Sequence, residues 1–195
     1  MTNKPTNTRR ERNREHLTPD ELQKLLGAIK TPGLSRNPER DYCLLLLMAH
    51  HGLRVSEACT LKLSDVQVDE KSIYIKRLKS GKSTSHPLFN GEVRALKEWL
   101  KIRASAQSEY DTLFLSEQRK PLSRRTVWLM MDKYAKAAGL DALAIHPHML
   151  RHACGYHMAN RGNDLRLIQE FLGHRSVSNT VRYTEVSPTR FANVW

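Results

Sequence analysis

Apolar residues recur every three or four positions through most of this chain, and every second position in one short stretch. Order begins at Thr18-Pro19-Asp20-Glu21: a threonine able to cap, a proline suited to the first helical position, and a glutamate that completes a capping box. Leu22, Leu25, Leu26 and Ile29 then share one helical face, until Thr31-Pro32-Gly33 ends the helix and 35–38 forms a loop. Residues 39–51 are apolar almost all round (Tyr42, Leu44, Leu45, Leu46, Leu47, Met48), the pattern of a buried central helix. Gly52 breaks it, and a short helix is predicted from Val55 to Leu61. The period then changes. Ser72 to Leu78 alternates and is rich in β-formers, Ser80-Gly81 supplies a turn, and Ser83 to Leu88 returns as a partner strand. Helical spacing resumes at Val93, Leu96, Trp99 and Leu100, and again after a Ser123 cap at Val127, Met130, Met131 and Tyr134, ending at Gly139. Two further helices are predicted, His148 to Asn160 and Leu165 to Phe171, with Gly162 between them. The expected fold class is mostly α with one small β-hairpin, an α+β domain.

Composition narrows the setting. With 195 residues the chain fits one domain with appendages, large enough to bury a core without disulfide or metal staples. The longest apolar run, Cys43 to Ala49, falls far short of the ~20 residues of a membrane span. Cys43, Cys59 and Cys154 are too scattered for a disulfide framework, which fits a reducing, cytoplasmic compartment. Lys+Arg 32 against Asp+Glu 20 gives a net charge of +12, so the expected partner is a polyanion. The charge is uneven. Residues 1–16 carry five arginines and lysines against Glu11 and Glu15, with no apolar periodicity, and read as a mobile basic arm. Residues 71–103 carry nine against Glu92 and Glu98, inside predicted folded structure.

Three local clusters carry candidate chemistry. In Gly52-Leu53-Arg54-Val55-Ser56-Glu57, an arginine beside buried sequence meets a glutamate three residues on, which can pair with it and orient it; taken alone this is a structural ion pair. In His146-Pro147-His148-Met149-Leu150-Arg151-His152, His148 and Arg151 share a face at a helix start, a good seat for a phosphate. His148 and His152 invite a zinc reading, but Met149 stands where a metalloprotease needs glutamate, and Cys154 restores no zinc spacing. No metal is expected. The third cluster is Leu172-Gly173-His174, followed nine residues later by Tyr183, a phenol that becomes a nucleophile only with help from a base or a strong positive field.

Together, Arg54, Lys79, His148, Arg151, His174 and Tyr183, in that order, resemble the catalytic set of the tyrosine site-specific recombinases, the phage-integrase family. The motifs are Gly-Leu-Arg-Val-Ser-Glu at 52–57, His-Met-Leu-Arg-His at 148–152 and Leu-Gly-His at 172–174 before Tyr183. Lys79 sits just ahead of the hairpin turn, where the family places its lysine; Lys82, past the turn, is the competing candidate. The segments 40–43, 77–81, 146–156, 180–184 and 190–192 are similar to the fimbrial phase-variation recombinases, which invert a promoter-bearing DNA element. The resemblance covers residues 17–191. It implies that 17–195 is a catalytic domain alone, without the separate core-binding domain of most relatives.

The resemblance also implies a chemistry: cleavage and rejoining of DNA through a 3′-phosphotyrosine at Tyr183, without metal or cofactor. Arg54 and Arg151 would hold the non-bridging oxygens, since a guanidinium is always charged and can bond two oxygens at once. His174 would donate a further hydrogen bond, Lys79 would protonate the leaving 5′-hydroxyl, His148 would exchange the Tyr183 proton, and Glu57 would orient Arg54 or its neighbours. The expected partners are duplex DNA with inverted-repeat sites, three further copies in a tetramer on that DNA, and DNA-bending accessory proteins. Arg77, Lys82, Arg124, Arg125, Arg175 and Arg182 are candidate DNA-backbone contacts. Other readings are an integrase or excisionase of a mobile element, a type IB topoisomerase-like enzyme, and a non-catalytic DNA-binding regulator on the same fold.

Overall fold

The computed structural model describes residues 14–78 and 81–184. Helix α1 (Pro19–Ala28) starts as its sequence predicts, with the Glu21 amide donating to Thr18 Oγ1 and the Thr18 amide donating to Glu21 Oε2. Helix α2 (Pro38–His51) is the central rod, with Leu44, Leu45, Leu47 and Met48 fully buried. It packs against α4 (Asn90–Ser105) on one side and α6 (Pro147–Asn160) on another. Its all-round apolarity follows from these neighbours. Gly52 closes α2 at φ +58, and a Cβ there would lie 2.4 Å from the Leu172 side chain, so both backbone and space demand glycine.

Between α2 and α4 lie the short α3 (Val55–Thr60) and an antiparallel sheet, β1 (Val66–Gln67), β2 (Ser72–Ile75) and β3 (Thr84–Pro87). The predicted hairpin is β2–β3, with Ile73 opposite His86 and Ile75 opposite Thr84. Strand β1 adds an edge that two residues are too short to announce by alternation. On β2, Ile73 and Ile75 point inward while Tyr74 faces solvent, as period two requires. Helix α5 (Arg124–Ala137), capped by Ser123 Oγ on the Thr126 amide, packs on α1, α3 and α6. Helices α7 (Leu165–Leu172) and α8 (Ser178–Val181) and a 3₁₀ turn (Arg182–Thr184) complete the described chain; α8 is a single turn with no apolar period of its own. No helix among the described residues is long and apolar enough to cross a membrane.

The face of β3 turned inward carries a histidine. His86 is buried, its Nδ1 lies 3.2 Å from His51 Nδ1, and its ring stacks on Phe171 of α7 at 3.9 Å. Glu92 of α4 lies under the same network, 2.8 Å from His50 Nδ1 and 3.3 Å from His51 Nε2. Sheet, central helix and α7 therefore meet through a buried polar seam rather than through aliphatic packing alone.

Residues 1–13 of the expected basic arm lie outside the described residues. Its last three residues are engaged: Arg14 pairs with Glu21, Glu15 with Arg182, and the His16 ring stacks on Tyr156 at 3.9 Å.

Candidate active site

The end of α2, the start of α6 and the corner after α7 converge on one point. Gly52 stops α2 and releases Leu53 inward, which turns Arg54 to the N-terminal edge of α3, partly exposed. Glu57, one turn into α3, is buried and receives four N–H groups on its two oxygens. Oε1 accepts from Arg54 Nη1 at 2.7 Å and from the Leu78 amide at 3.4 Å. Oε2 accepts from the Arg54 amide and from Arg77 Nη1, both at 2.9 Å. Burial alone would raise the Glu57 pKa; the Arg54 amide, the Arg77 charge and the guanidinium hydrogen bonds overcome it and hold the carboxyl below its ordinary value. Glu57, expected to orient Arg54 or its neighbours, is bonded to both Arg54 and Arg77.

Arg151 is one helical turn into α6 and buried. Its Nη1 donates to the Gly52 carbonyl and its Nη2 to the Leu172 carbonyl at 2.7 Å, tying the ends of α2 and α7 together. Burial, then the charges of Arg54 and Arg77, lower its pKa to about 10. Two guanidiniums, Arg54 and Arg77, thus share Glu57 as their carboxylate, and the third, Arg151, is held on main-chain carbonyls beside them. Such a cluster has an excess of positive charge that an anion would relieve.

Tyr183 lies over α6 in a 3₁₀ turn, 2% exposed. Its ring rests on Gly155, where a Cβ would sit 2.6–2.7 Å from three ring carbons, so no other residue could seat the phenol this closely. The ring stacks beside His174 (centroids 6.2 Å apart, planes 13° apart) and meets the edge of Tyr156 at 5.2 Å. Burial pushes its pKa up to about 12, against the pull of Arg151 and Arg182. At neutral pH the phenol is therefore protonated and needs a proton acceptor to react.

The group that meets its hydroxyl is His152, whose Nδ1 lies 3.0 Å from the Tyr183 oxygen. Sequence reasoning passed over this residue in favour of His148, one turn earlier and exposed, whose ring centroid is 6.2 Å from that of His152. The spacing of four between them is the one local signal that sets His152 on the same helical face as His148. His152 Nε2 lies 3.4 Å from Arg182 Nη1. An arginine can only donate, so Nε2 is the acceptor and Nδ1–H faces the phenol oxygen. His174, partly buried, has Nδ1 2.9 Å from Thr180 Oγ1. Burial lowers His152 to about 4 with help from Arg182, and lowers His174 to about 3 with help from Arg151 and Arg54.

Arg77 requires a correction. Expected as a DNA-backbone contact, it is 5% exposed and its guanidinium points into the protein, bonded to Glu57 and to main-chain carbonyls. The alternation of β2 carries past its last paired residue and aims position 77 inward with Ile73 and Ile75. Lys82, Arg124, Arg125 and Arg175 are exposed, and Arg182 is exposed while paired to Glu15. Lys79 lies outside the described residues. Among the described residues no group of three or more His, Cys, Asp or Glu could hold a metal ion.

The buried neutral histidines predict an acid limb of stability. His86 is lowered to about 3, first by burial and then by the charges of His51 and Arg77. A histidine with a depressed folded pKa stabilises the fold fully above its unfolded value near 6.5, and that contribution is lost as pH falls toward the folded value. Between pH 7 and pH 5 His86 alone should cost about 2 kcal/mol, or ~5 °C in melting temperature. His152 and His174 act in the same direction. Thermal melts of wild type and His86→Asn across that range check this: a flat wild-type profile overturns it, and the variant should show a shallower slope.

Comparison with known proteins bears on this arrangement. The family model described as the phage integrase family matches residues 15–190. The Type 1 fimbriae regulatory protein FimB of Escherichia coli (strain K12) is 48% identical over 196 residues, which covers 100% of this chain and 94% of that protein. The crystal structure of XerA recombinase matches with a TM-score of 0.79 and 32% identity, covering 91% of this chain and 61% of that one. The XerH site-specific recombinase bound to its difH substrate, in a pre-cleavage complex, matches with a TM-score of 0.78 and 28% identity, covering 93% of this chain and 53% of that one. The chain belongs to the phage integrase family, and its fold is that of the tyrosine recombinase catalytic domain. It spans less than two thirds of the length of both solved recombinases.

Proposed function

We propose that the protein is a site-specific DNA recombinase of the cytoplasm that cleaves and rejoins duplex DNA through a phosphotyrosine at Tyr183, inverting a promoter element that controls fimbrial genes. The observation that carries this reading is a buried tyrosine beside a cluster of three arginines, two of them on one carboxylate and the third on main-chain carbonyls. The similarity to a fimbriae regulatory protein over essentially the full length of both chains supports the biological role.

In the reaction the Tyr183 oxygen attacks the scissile phosphorus, the bond from phosphorus to the 5′-oxygen breaks, and the departing oxygen takes a proton. Extra negative charge grows on the non-bridging oxygens, and in this reading Arg54 and Arg151 bind it. With Thr180 donating to Nδ1, His174 carries its proton on Nε2 and can donate to the same oxygens. His152 Nδ1–H holds the phenol oxygen, which leaves the phenol proton for His148. Lys79 supplies the proton to the leaving group. The ester energy is conserved in the phosphotyrosine, so a 5′-hydroxyl from another strand reverses the step without ATP or a metal. Residues 17–195 form the catalytic domain, four copies act on two DNA sites, and accessory proteins that bend DNA bring those sites together. Exposed Lys82, Arg124, Arg125, Arg175 and Arg182 contribute phosphate contacts whose affinity is salt-dependent.

The test is covalent capture. The protein is incubated with nicked, sheared genomic DNA from its own host and the mixture is denatured in detergent. A protein–DNA adduct whose DNA ends map to inverted repeats beside a promoter supports the reading; failure to form any adduct overturns it in favour of a DNA-binding regulator. On the mapped site, Arg151→Lys should lower single-turnover cleavage by ~10²–10³-fold. A lysine cannot hold two carbonyls and a phosphate with one planar fork. Cleavage within threefold of wild type would remove Arg151 from the phosphate site.

A further inference from the structure

The residues just ahead of α1, expected to belong to a mobile arm, lie instead against the segment that carries the nucleophile. We propose that Glu15 and Arg182 are positioning residues for Tyr183: together they fix the ring tautomer of His152, and with it the hydrogen bond on the phenol oxygen, so that the segment ahead of α1 is part of the active site. This rests on the reading of the protein as a recombinase with Tyr183 as its nucleophile.

Two routes of contact lead from this segment to the phenol. The polar route is a chain of four groups. Glu15 Oε2 lies 3.0 Å from Arg182 Nη1, the same Nη1 lies 3.4 Å from His152 Nε2, and His152 Nδ1 lies 3.0 Å from the Tyr183 oxygen. The other route runs through rings: His16 stacks on Tyr156 at 3.9 Å, and Tyr156 meets Tyr183 edge to face at 5.2 Å. The Glu15 carboxylate is held from both sides. Before it, Arg14 pairs with Glu21, the glutamate that also accepts from the Thr18 amide at the start of α1; after it come the stacked His16 ring and Leu17, which is buried. An exposed ion pair such as Glu15–Arg182 adds little stability. What it adds is direction. A guanidinium only donates, so Arg182 on Nε2 leaves the imidazole proton on Nδ1, aimed at the phenol oxygen. Burial, then the charge of Arg182, lowers His152 to about 4, so near neutral pH the ring carries a single proton and its neighbours decide which nitrogen holds it. With Nδ1–H facing it, the phenol oxygen receives a hydrogen bond that strengthens as negative charge grows there. In the other tautomer a bare Nδ1 accepts from the phenol, and His152 donates nothing to the oxygen that must ionise.

A surface ion pair could serve folding or DNA affinity alone, but neither of those roles selects a tautomer. The full-length protein is therefore labelled with nitrogen-15 in its histidine rings, and long-range proton–nitrogen correlation near neutral pH reads which ring nitrogen carries the proton. The His152 signal is the one lost in His152→Asn. Wild type should show His152 protonated on Nδ1. Arg182→Ala should turn the ring into a mixture of the two tautomers, and Glu15→Ala should do so to a smaller extent. Single-turnover cleavage of the mapped site supplies the second readout, at saturating protein so that lost phosphate affinity does not count. Arg182→Ala should slow it ~10-fold and Glu15→Ala ~3-fold, as the loss of one hydrogen bond to a developing charge does. An asparagine at 152 donates from near the place of Nδ1 and has no tautomer to fix, so in a His152→Asn background the same two changes should cost less than about twofold. A wild-type His152 protonated on Nε2, a tautomer unchanged in both Arg182→Ala and Glu15→Ala, or equal slowing by Arg182→Ala in the His152 and Asn backgrounds overturns the proposal. A response to Arg182→Ala with none to Glu15→Ala removes the segment ahead of α1 from the site and overturns it as well. The tautomer is read without DNA, so absence of the wild-type adduct is a separate result that overturns the recombinase reading itself.

Discussion

Tyr183→Phe is expected to abolish the covalent protein–DNA adduct while leaving folding and DNA binding nearly unchanged. The phenol oxygen is the atom that joins the DNA in the proposed reaction, and phenylalanine lacks it while keeping the ring. Every ring contact survives the change: the seat on Gly155, the stack beside His174 and the edge of Tyr156. The loss is the hydrogen bond with His152, about 1 kcal/mol. Melting temperature should then move by no more than ~4 °C, and affinity for the mapped duplex by no more than about threefold. The adduct, scored on a denaturing gel, should vanish even after overnight incubation. An adduct that persists in Tyr183→Phe would give the nucleophile to another residue. Tyr156, 5.2 Å away, would then be the first to replace.

Glu57→Gln should cost the fold more than any other single change at the site, about 3–5 kcal/mol or ~10 °C in melting temperature. The amide keeps the shape of the side chain but removes the charge that faces the fully buried Arg77 guanidinium, and it can accept on only one of its two former oxygens. The sign of its pH dependence follows from the lowered carboxyl. A carboxylate held below its unfolded pKa, 4.5, stabilises the fold fully above that value, and the contribution is lost as pH falls through the folded pKa. The gap in stability between wild type and Glu57→Gln should therefore be constant near neutrality and begin to narrow below about pH 4.5. Denaturant titrations at pH 7, 5, 4 and 3 measure it. A gap that widens on acidification would show that Glu57 is not the charged partner of Arg77. Cleavage by the folded fraction should also fall, because Arg54 loses both of its anchoring bonds to a carboxylate.

These two variants probe groups of different legibility. Tyr183, Arg54, Arg151 and His174 were readable because their residue types recur in one order at separated motifs, and arginine, histidine and tyrosine are unusual beside apolar helix ends. Glu57 was readable through its helical spacing from Arg54. His152 and Gly155 were not. Their roles depend on the path of the chain after α7, which lays Tyr183 across α6 one turn beyond Arg151, and nothing in the local pattern of α6 announces that visitor. His86 was equally silent: on an alternating strand it reads as one more inward position, and its histidine and glutamate neighbours come from α2 and α4.

By itself the sequence determined the helical and strand periods, the caps at Thr18 and Ser123, the break at Gly52 and the basic surplus, because each depends on neighbours within a turn or two along the chain. It also determined which residue types were available for phosphate chemistry. Only the tertiary structure decided which charges face outward and which inward. Arg77 and Lys82 belong to the same basic hairpin, and charge alone treats them alike; the strand period points Arg77 inward but does not say what would receive its charge. One ends up buried on a carboxylate and three carbonyls, the other exposed, because the sheet packs its inner face against the ends of α2 and α7. A buried guanidinium persists only where such partners converge from distant parts of the chain, and convergence is a property of packing, which no local pattern encodes.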